Sequence, residues 1–410
     1  MKTYNREEYL KEAEYYIPWG SSTCSKAASF HPYDPAAITH GKGCRVWDIE
    51  GREFIDFRNG LGPVTLGYAY DEVNDAVKEQ LDKGVVYGNP SILELELAKV
   101  ICDVIPCAEM VRFLKTGGEA VAAAIRLARA YTGRDHVIQV GYNGWLNTLA
   151  SKCAPLPGGM GTSAGSGVPE ALSKLHHSAS FGNVEAMQEL VEKYSGNVAA
   201  IVVAAAYTDA EIGKTYYPAI RKICDDNGIV LIYDEIVTGF RVAIGGVQEY
   251  YGVTPDLAVF SKGMANGMPL SVFCGKRDIM KLCAKGGGCV ISSTFSGDAL
   301  ALAASLAVIN IYRRDNVIDH LYKMGRKLKD GANKLFEQYN IPIEAVGFDC
   351  FPSFAAKAGA PAGILNEMLM ECYKNGISFY HVAYVNFSHK ESDIDEVLAK
   401  LKLVCEALKK

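Results

Sequence analysis

The residues able to do chemistry in this chain sit where apolar runs end. In "FLKTGGEAVAAAIRLARAYTGRD", Phe113 to Asp135, the trio Thr116, Gly117 and Gly118 separates a strand-like run from a long Ala-rich helix. Amides exposed at a helix start, with the helix dipole behind them, make an anion site, and glycine lets a phosphate approach the backbone. Glycine at a helix start also serves turn geometry alone. The spacing fits neither a Walker loop nor the dinucleotide GxGxxG pattern, which favours a phosphate but not a triphosphate. "IVLIYDEIVTGF" ends a buried strand on Asp234, and "AVFSKGMANGMPL" ends another on Lys262. A buried carboxylate is costly unless it meets a cation or a protonated nitrogen. Taken singly, Lys262 reads more simply as a solvated loop residue. In this order, however, the three features are the parts that pyridoxal 5′-phosphate needs. Lys262 would form the Schiff base, Asp234 would hold the pyridine nitrogen protonated, and the helix start would neutralise the phosphate. Tyr142 in "VGYNGW" offers an aromatic face for ring stacking.

These positions need a sheet to bring them together. From about Asp71 to Gly275 helical and strand-like patterns alternate: "SILELELAKVICDVI" and "AIRLARAYTG" have helical spacing, whereas "HVIQV", "AAIVVAAA", "IVLIYDEI" and "DLAVFSKG" are short and β-rich. The alternation predicts an α/β fold with a mainly parallel sheet. The Gly/Pro/Ser-rich run Ala154–Ala171 is long for a plain connection and reads equally as a lid or a surface loop. After Asp298 come an apolar helix, a charged amphipathic region, short strands and a final helix, the pattern of a smaller α+β domain. The expected boundaries are an N-terminal segment 1–60, a large domain 61–298 and a small domain 299–410.

Composition narrows the class further. The 410 residues carry 49% hydrophobic content and a net charge of −5, which gives no reason to expect nucleic-acid or membrane partners. The first residues lack the apolar core of a signal peptide, and no run approaches membrane-spanning length. Twelve scattered cysteines, without a CxxC pair, read as reduced thiols of a cytoplasmic protein rather than as disulfides or metal ligands.

At this point the chain resembles the class III pyridoxal-phosphate aminotransferases, among them the glutamate-1-semialdehyde aminomutases and their sugar and natural-product aminotransferase relatives. The likeness rests on Thr116–Ala120, Gly141–Gly144, Asp234–Arg241, Ser261–Gly263 and Thr294–Gly297, in family order, and runs from about Tyr16 to Leu401. It implies the fold of the fold-type I pyridoxal-phosphate transferases and a homodimer with shared active sites. Lys262 would bind the cofactor and later move the proton, and Asp234 would contact the ring nitrogen. Tyr142 and Ile236 would sandwich the ring beside Asn143, Thr116, Gly117 and Gly118 would hold the phosphate, and Thr294 would reach the neighbouring subunit's phosphate.

The sequence departs from the family pattern in three places. Asn143 replaces a His, Ala204-Ala205 replaces Glu-Pro, and Ser-Gly-Asn-Pro has become Ser296-Gly297-Asp298-Ala299. The resemblance also matches Lys26, in "YIPWGSSTCSKAASF", to an Arg that holds the substrate carboxylate in the aminomutase. On composition alone Lys26 is a solvated loop residue. The expected activity is transfer of an amino group from an amino acid, glutamate first, to a small oxo compound or oxo-sugar. An intramolecular aminomutase and a nucleotide-binding α/β protein are the alternatives.

Overall fold

The structure, a computed structural model, describes residues 4–28, 32–146 and 167–409. Of the Ala154–Ala171 run, residues 154–166 lie outside the described residues. The chain forms two compact units, one from Glu72–Asp315 and the other from Met1–Asp71 together with Asn316–Lys410.

Strands β1 (Ile38–Lys42), β2 (Arg45–Asp48) and β3 (Glu53–Asp56) belong to the second of these units and pair antiparallel in sequence order. The unit that carries the chemistry holds β4 (Met110–Leu114), β5 (His136–Val140), β6 (His176–Ala179), β7 (Val198–Ala204), β8 (Val230–Asp234), β9 (Leu257–Phe260) and β10 (Ser271–Gly275) in one sheet of order β4-β10-β9-β8-β7-β5-β6. Every residue of β7, β8, β9 and β10 is buried. Strands covered on both faces need continuous apolar runs rather than alternation, and Val, Ile and Ala supply them. Pairing is parallel from β9 through to β6, while β10 runs antiparallel to both β9 and β4. Two reversals restore direction, so β4 points the same way as β9. The carboxyl ends of β4, β5, β8 and β9 therefore share one edge, which is where open α/β sheets bind ligands.

Helix Gly117–Thr132 packs on this sheet through Ala120, Val121, Ala124, Leu127 and Ala128, a stripe at helical spacing, against Val202, Ile232, Val259 and Phe273. Small side chains along the stripe let the helix approach closely. It ends on Gly133, whose φ of 68° is left-handed and whose amide donates to the Arg129 carbonyl.

In the other unit, β13 (Ile377–Ser378) joins β3 in parallel, and β11 (Ile343–Val346) pairs with β12 (Ser353–Ala356). Helices Val317–Gln338 and Glu391–Leu408 pack together there. Most described cysteines are buried, Cys24 and Cys102 being exposed, and all of them are free thiols. Among the described residues no helix is long and apolar enough to cross a membrane, and no His, Cys, Asp and Glu group could hold a metal.

Candidate active site

The turn after β4 is set by its own residues. Thr116 caps the helix: its hydroxyl accepts from the Glu119 amide (3.4 Å), while Glu119 Oε2 accepts from the amides of Lys115 (3.1 Å) and Thr116 (2.8 Å). The Thr116 carbonyl accepts from Ser271 Oγ at 2.8 Å, which fastens the turn to β10. This reciprocal cap uses up the neighbouring amides and leaves those of Gly117 and Gly118 without a partner among the described residues. Two donors at the positive end of a helix are what an anion requires.

Gly117 is demanded by packing. A β-carbon there would lie 2.4 Å from Cδ1 of Ile236, and one on Gly144 would lie 3.1 Å from the Gly118 α-carbon. The helix start, the turn after β5 and the turn after β8 thus converge, and glycine is what lets them touch.

Asp234 stands at the end of β8, 7% exposed. Its Oδ1 accepts from the Ile236 amide (3.1 Å) and its Oδ2 from Asn143 Nδ2 (3.3 Å). Burial pushes its carboxyl up to about 6, against these bonds and the attraction of the Lys262 charge. Its neighbour across the sheet is Ala204, where the family pattern carries Glu. No second carboxylate there opposes its ionisation, and the upward shift comes from burial. Asn143 is 1% exposed and its Oδ1 is buried without a hydrogen-bond partner. Replacing the family's His by Asn supplies a donor that carries no charge.

Lys262 stands two residues beyond the end of β9, after Ser261, with φ of 44°. A left-handed backbone at a lysine costs on the order of 1 kcal/mol or more, and such strain persists where the surroundings over-determine it. They do here: Ser261 Oγ donates to the Leu270 carbonyl at 2.7 Å and anchors the turn. The conformation aims Lys262 near enough to Asp234 for the two charges to interact.

The structure therefore brings together Gly117, Gly118, Asn143, Asp234, Ile236 and Lys262. Tyr142 adjoins them in the turn before Gly144 and is 43% exposed. Thr294 is exposed in the turn that precedes helix Ala299–Asp315. Lys26, in the other unit, is also exposed and ends the short turn Cys24–Lys26. It lines a cavity of about 430 Å³ with Tyr9, Asp34, Arg58 and Tyr68. Arg58 fixes that turn by donating to both Asp34 oxygens (3.0 and 3.1 Å) and to the Ser25 carbonyl (2.8 Å).

Three contributors were not singled out in the sequence. Glu119 was accessible as the fourth residue of a Thr-x-x-Glu capping box. Ser271 gives no local signal. Glu235, fully buried, accepts from the Val247 and Gln248 amides (2.9 and 3.1 Å), and burial lifts its carboxyl to about 7. It is a buried cap for helix Val247–Tyr251.

An anion cradle, a buried carboxylate in need of a cation and an adjacent strained lysine fit pyridoxal phosphate. Comparison with known proteins agrees. The profile of the family described as Aminotransferase class-III matches residues 27–382. The glutamate-1-semialdehyde 2,1-aminomutase of Persephonella marina is 32% identical over 98% of each chain, and that of Archaeoglobus fulgidus 34% over 97% of this chain and 98% of its own. The ω-transaminase of Sphaerobacter thermophilus, 23% identical, superposes with a TM-score of 0.87 over 99% of this chain and 98% of that one. The chain belongs to the class III aminotransferases and is an enzyme whose cofactor is pyridoxal 5′-phosphate.

Proposed function

We propose that the chain transfers an amino group from an amino acid, glutamate being the first candidate, to a small oxo compound or oxo-sugar. The observation that carries this reading is the placing of buried Asp234 beside Lys262 at the carboxyl edge of the sheet. When bound, the cofactor supplies an electron sink for the carbon that loses and regains its proton. The Gly117 and Gly118 amides and the helix dipole would hold its phosphate, with Thr116 fixing the turn. Ile236 and Tyr142 would cover its ring, and Asn143 would orient Asp234. Asp234, ionised, would pair with the ring nitrogen and keep it protonated. Lys262 Nζ would anchor the cofactor and, released from that bond, take the proton from the amine-bearing carbon and return it. Thr294, exposed in its own chain, would serve the phosphate of a partner subunit in a homodimer. Lys26, at its cavity in the other unit, would meet an anionic group of the substrate.

Lys26 in place of the aminomutase's Arg supports a transferase acting on another substrate. Arg clamps a planar carboxylate through two bonds, whereas Lys offers a compact charge with rotatable donors. The aminomutase reading rests on the names of relatives 32–34% identical. A donor screen separates the two. A transferase converts its cofactor from aldehyde to amine form with an external amino acid and releases the matching oxo acid. Isomerisation of one substrate without donor, with no donor consumed, would establish the aminomutase.

A further inference from the structure

We infer that the ion pair between Lys115 and Asp298 is a positioning element for the cofactor's phosphate cradle. The inference rests on the cofactor assignment above. Lys115 immediately precedes the Thr116–Gly118 turn, and its Nζ pairs with Asp298 Oδ2. The two side chains are 18% and 11% exposed, so water screens the pair weakly. Asp298 divides its oxygens: Oδ1 accepts from the Ala301 amide (3.1 Å) and caps helix Ala299–Asp315, while Oδ2 holds the lysine. Position 298 is where the family pattern has Asn, which would cap the helix equally well but could not neutralise an ammonium. The carboxylate at 298 therefore does what Asn could not, compensating the charge of a largely buried lysine while keeping the helix cap.

The geometry explains what the pair does. The cradle is a single turn whose two free amides must face the same point. Glu119 fixes it from inside the helix, and Ser271 fixes it to β10. Neither restrains the end of β4 from moving away from the Ala299–Asp315 helix. Among the described residues, the Lys115–Asp298 ion pair ties the residue before the cradle to the start of that helix. Losing it would let the turn rotate and spoil the alignment of the Gly117 and Gly118 amides.

The test is cofactor titration of the apo-enzyme, followed by absorbance and fluorescence, in the parent and in Lys115→Met, Lys115→Arg and Asp298→Asn. Asp298→Asn keeps the helix cap, so its melting temperature should stay near the parent's. Its cofactor dissociation constant should rise about fivefold or more, as should that of Lys115→Met, the scale of one well-placed ion pair. Lys115→Arg, which keeps the charge, should bind nearly as the parent does. The KM for amino donor, measured at saturating cofactor, should not move. Parent-like cofactor affinity in both Asp298→Asn and Lys115→Met would overturn the inference, as would equal losses in Lys115→Arg and Lys115→Met. A parent that binds no pyridoxal phosphate would instead overturn the cofactor assignment beneath it.

Discussion

Two side chains set the chemistry, and each makes a distinct prediction. Lys262→Ala should abolish turnover while the protein stays folded, because a merely solvated lysine would tolerate truncation within about 0.5 kcal/mol. Near-parental rates in that variant, measured at saturating cofactor, would remove Lys262 from the reaction. Asp234 must be ionised to pair with a protonated ring nitrogen. Burial holds its carboxyl at about 6, so cofactor affinity should fall as pH drops through that value. Asp234→Asn should bind the cofactor more weakly, lose most turnover and lose that pH dependence; titrations at pH 5, 6 and 7 would show it. The same shift acts oppositely on the stability of the cofactor-free protein. The folded state keeps Asp234's proton more tightly than the unfolded chain, so this contribution is full below about 3.8 and gone above about 6.

The elements place these residues, and their legibility in the sequence varied with how local the signal is. The strand ends at Asp234 and Lys262, and the helix start at Thr116, could be read directly, because a continuous apolar run or a capping residue marks each within a few positions. Strand β10 was missed, although "SVFCG" is fully buried, since a five-residue apolar run beside "GMPL" has no periodicity to distinguish it. Strand β6, "HHSA", was missed for the opposite reason: it is the polar edge of the sheet. That edge carries its own pH response. His177 Nε2 meets His136 Nδ1 at 2.8 Å, and Arg129 Nη2 meets His176 Nε2 at 3.1 Å. Both contacts need a neutral imidazole as acceptor. Burial first, then neighbouring positive charge, pulls His176 and His177 down to about 4. An unfolded histidine takes its proton near 6.5, so stability is full above that pH and is lost as pH falls toward 4. The melting temperature should fall over this window, and His176→Gln should flatten part of the decline; an unchanged slope would remove the pair from the acid response.

At the scale of the whole molecule, the question left by the two units is which substrate they serve. Lys26→Ala should weaken kcat/KM for an anionic substrate by roughly 1.5–3 kcal/mol, the scale of one lost charged hydrogen bond, and leave cofactor absorbance unchanged. Equal kinetics on the true substrate would return Lys26 to an ordinary surface role. The position of β10 has a further consequence, for the order of assembly. Strands β5 to β9 lie side by side, and all have left the ribosome once Phe260 has emerged. Strand β4, made before all of them, can join the sheet only through β10, with Leu114 pairing to Ser271. The sheet must therefore close a loop of more than a hundred residues before β4 is locked into it, and long-range closures of this kind are slow. Amides of Met110–Leu114 should gain exchange protection in pulse labelling no earlier than those of Ser271–Gly275. Until then the cradle lacks the Ser271 anchor on the Thr116 carbonyl, so the nascent enzyme should grip its cofactor's phosphate only once Ser271 has emerged.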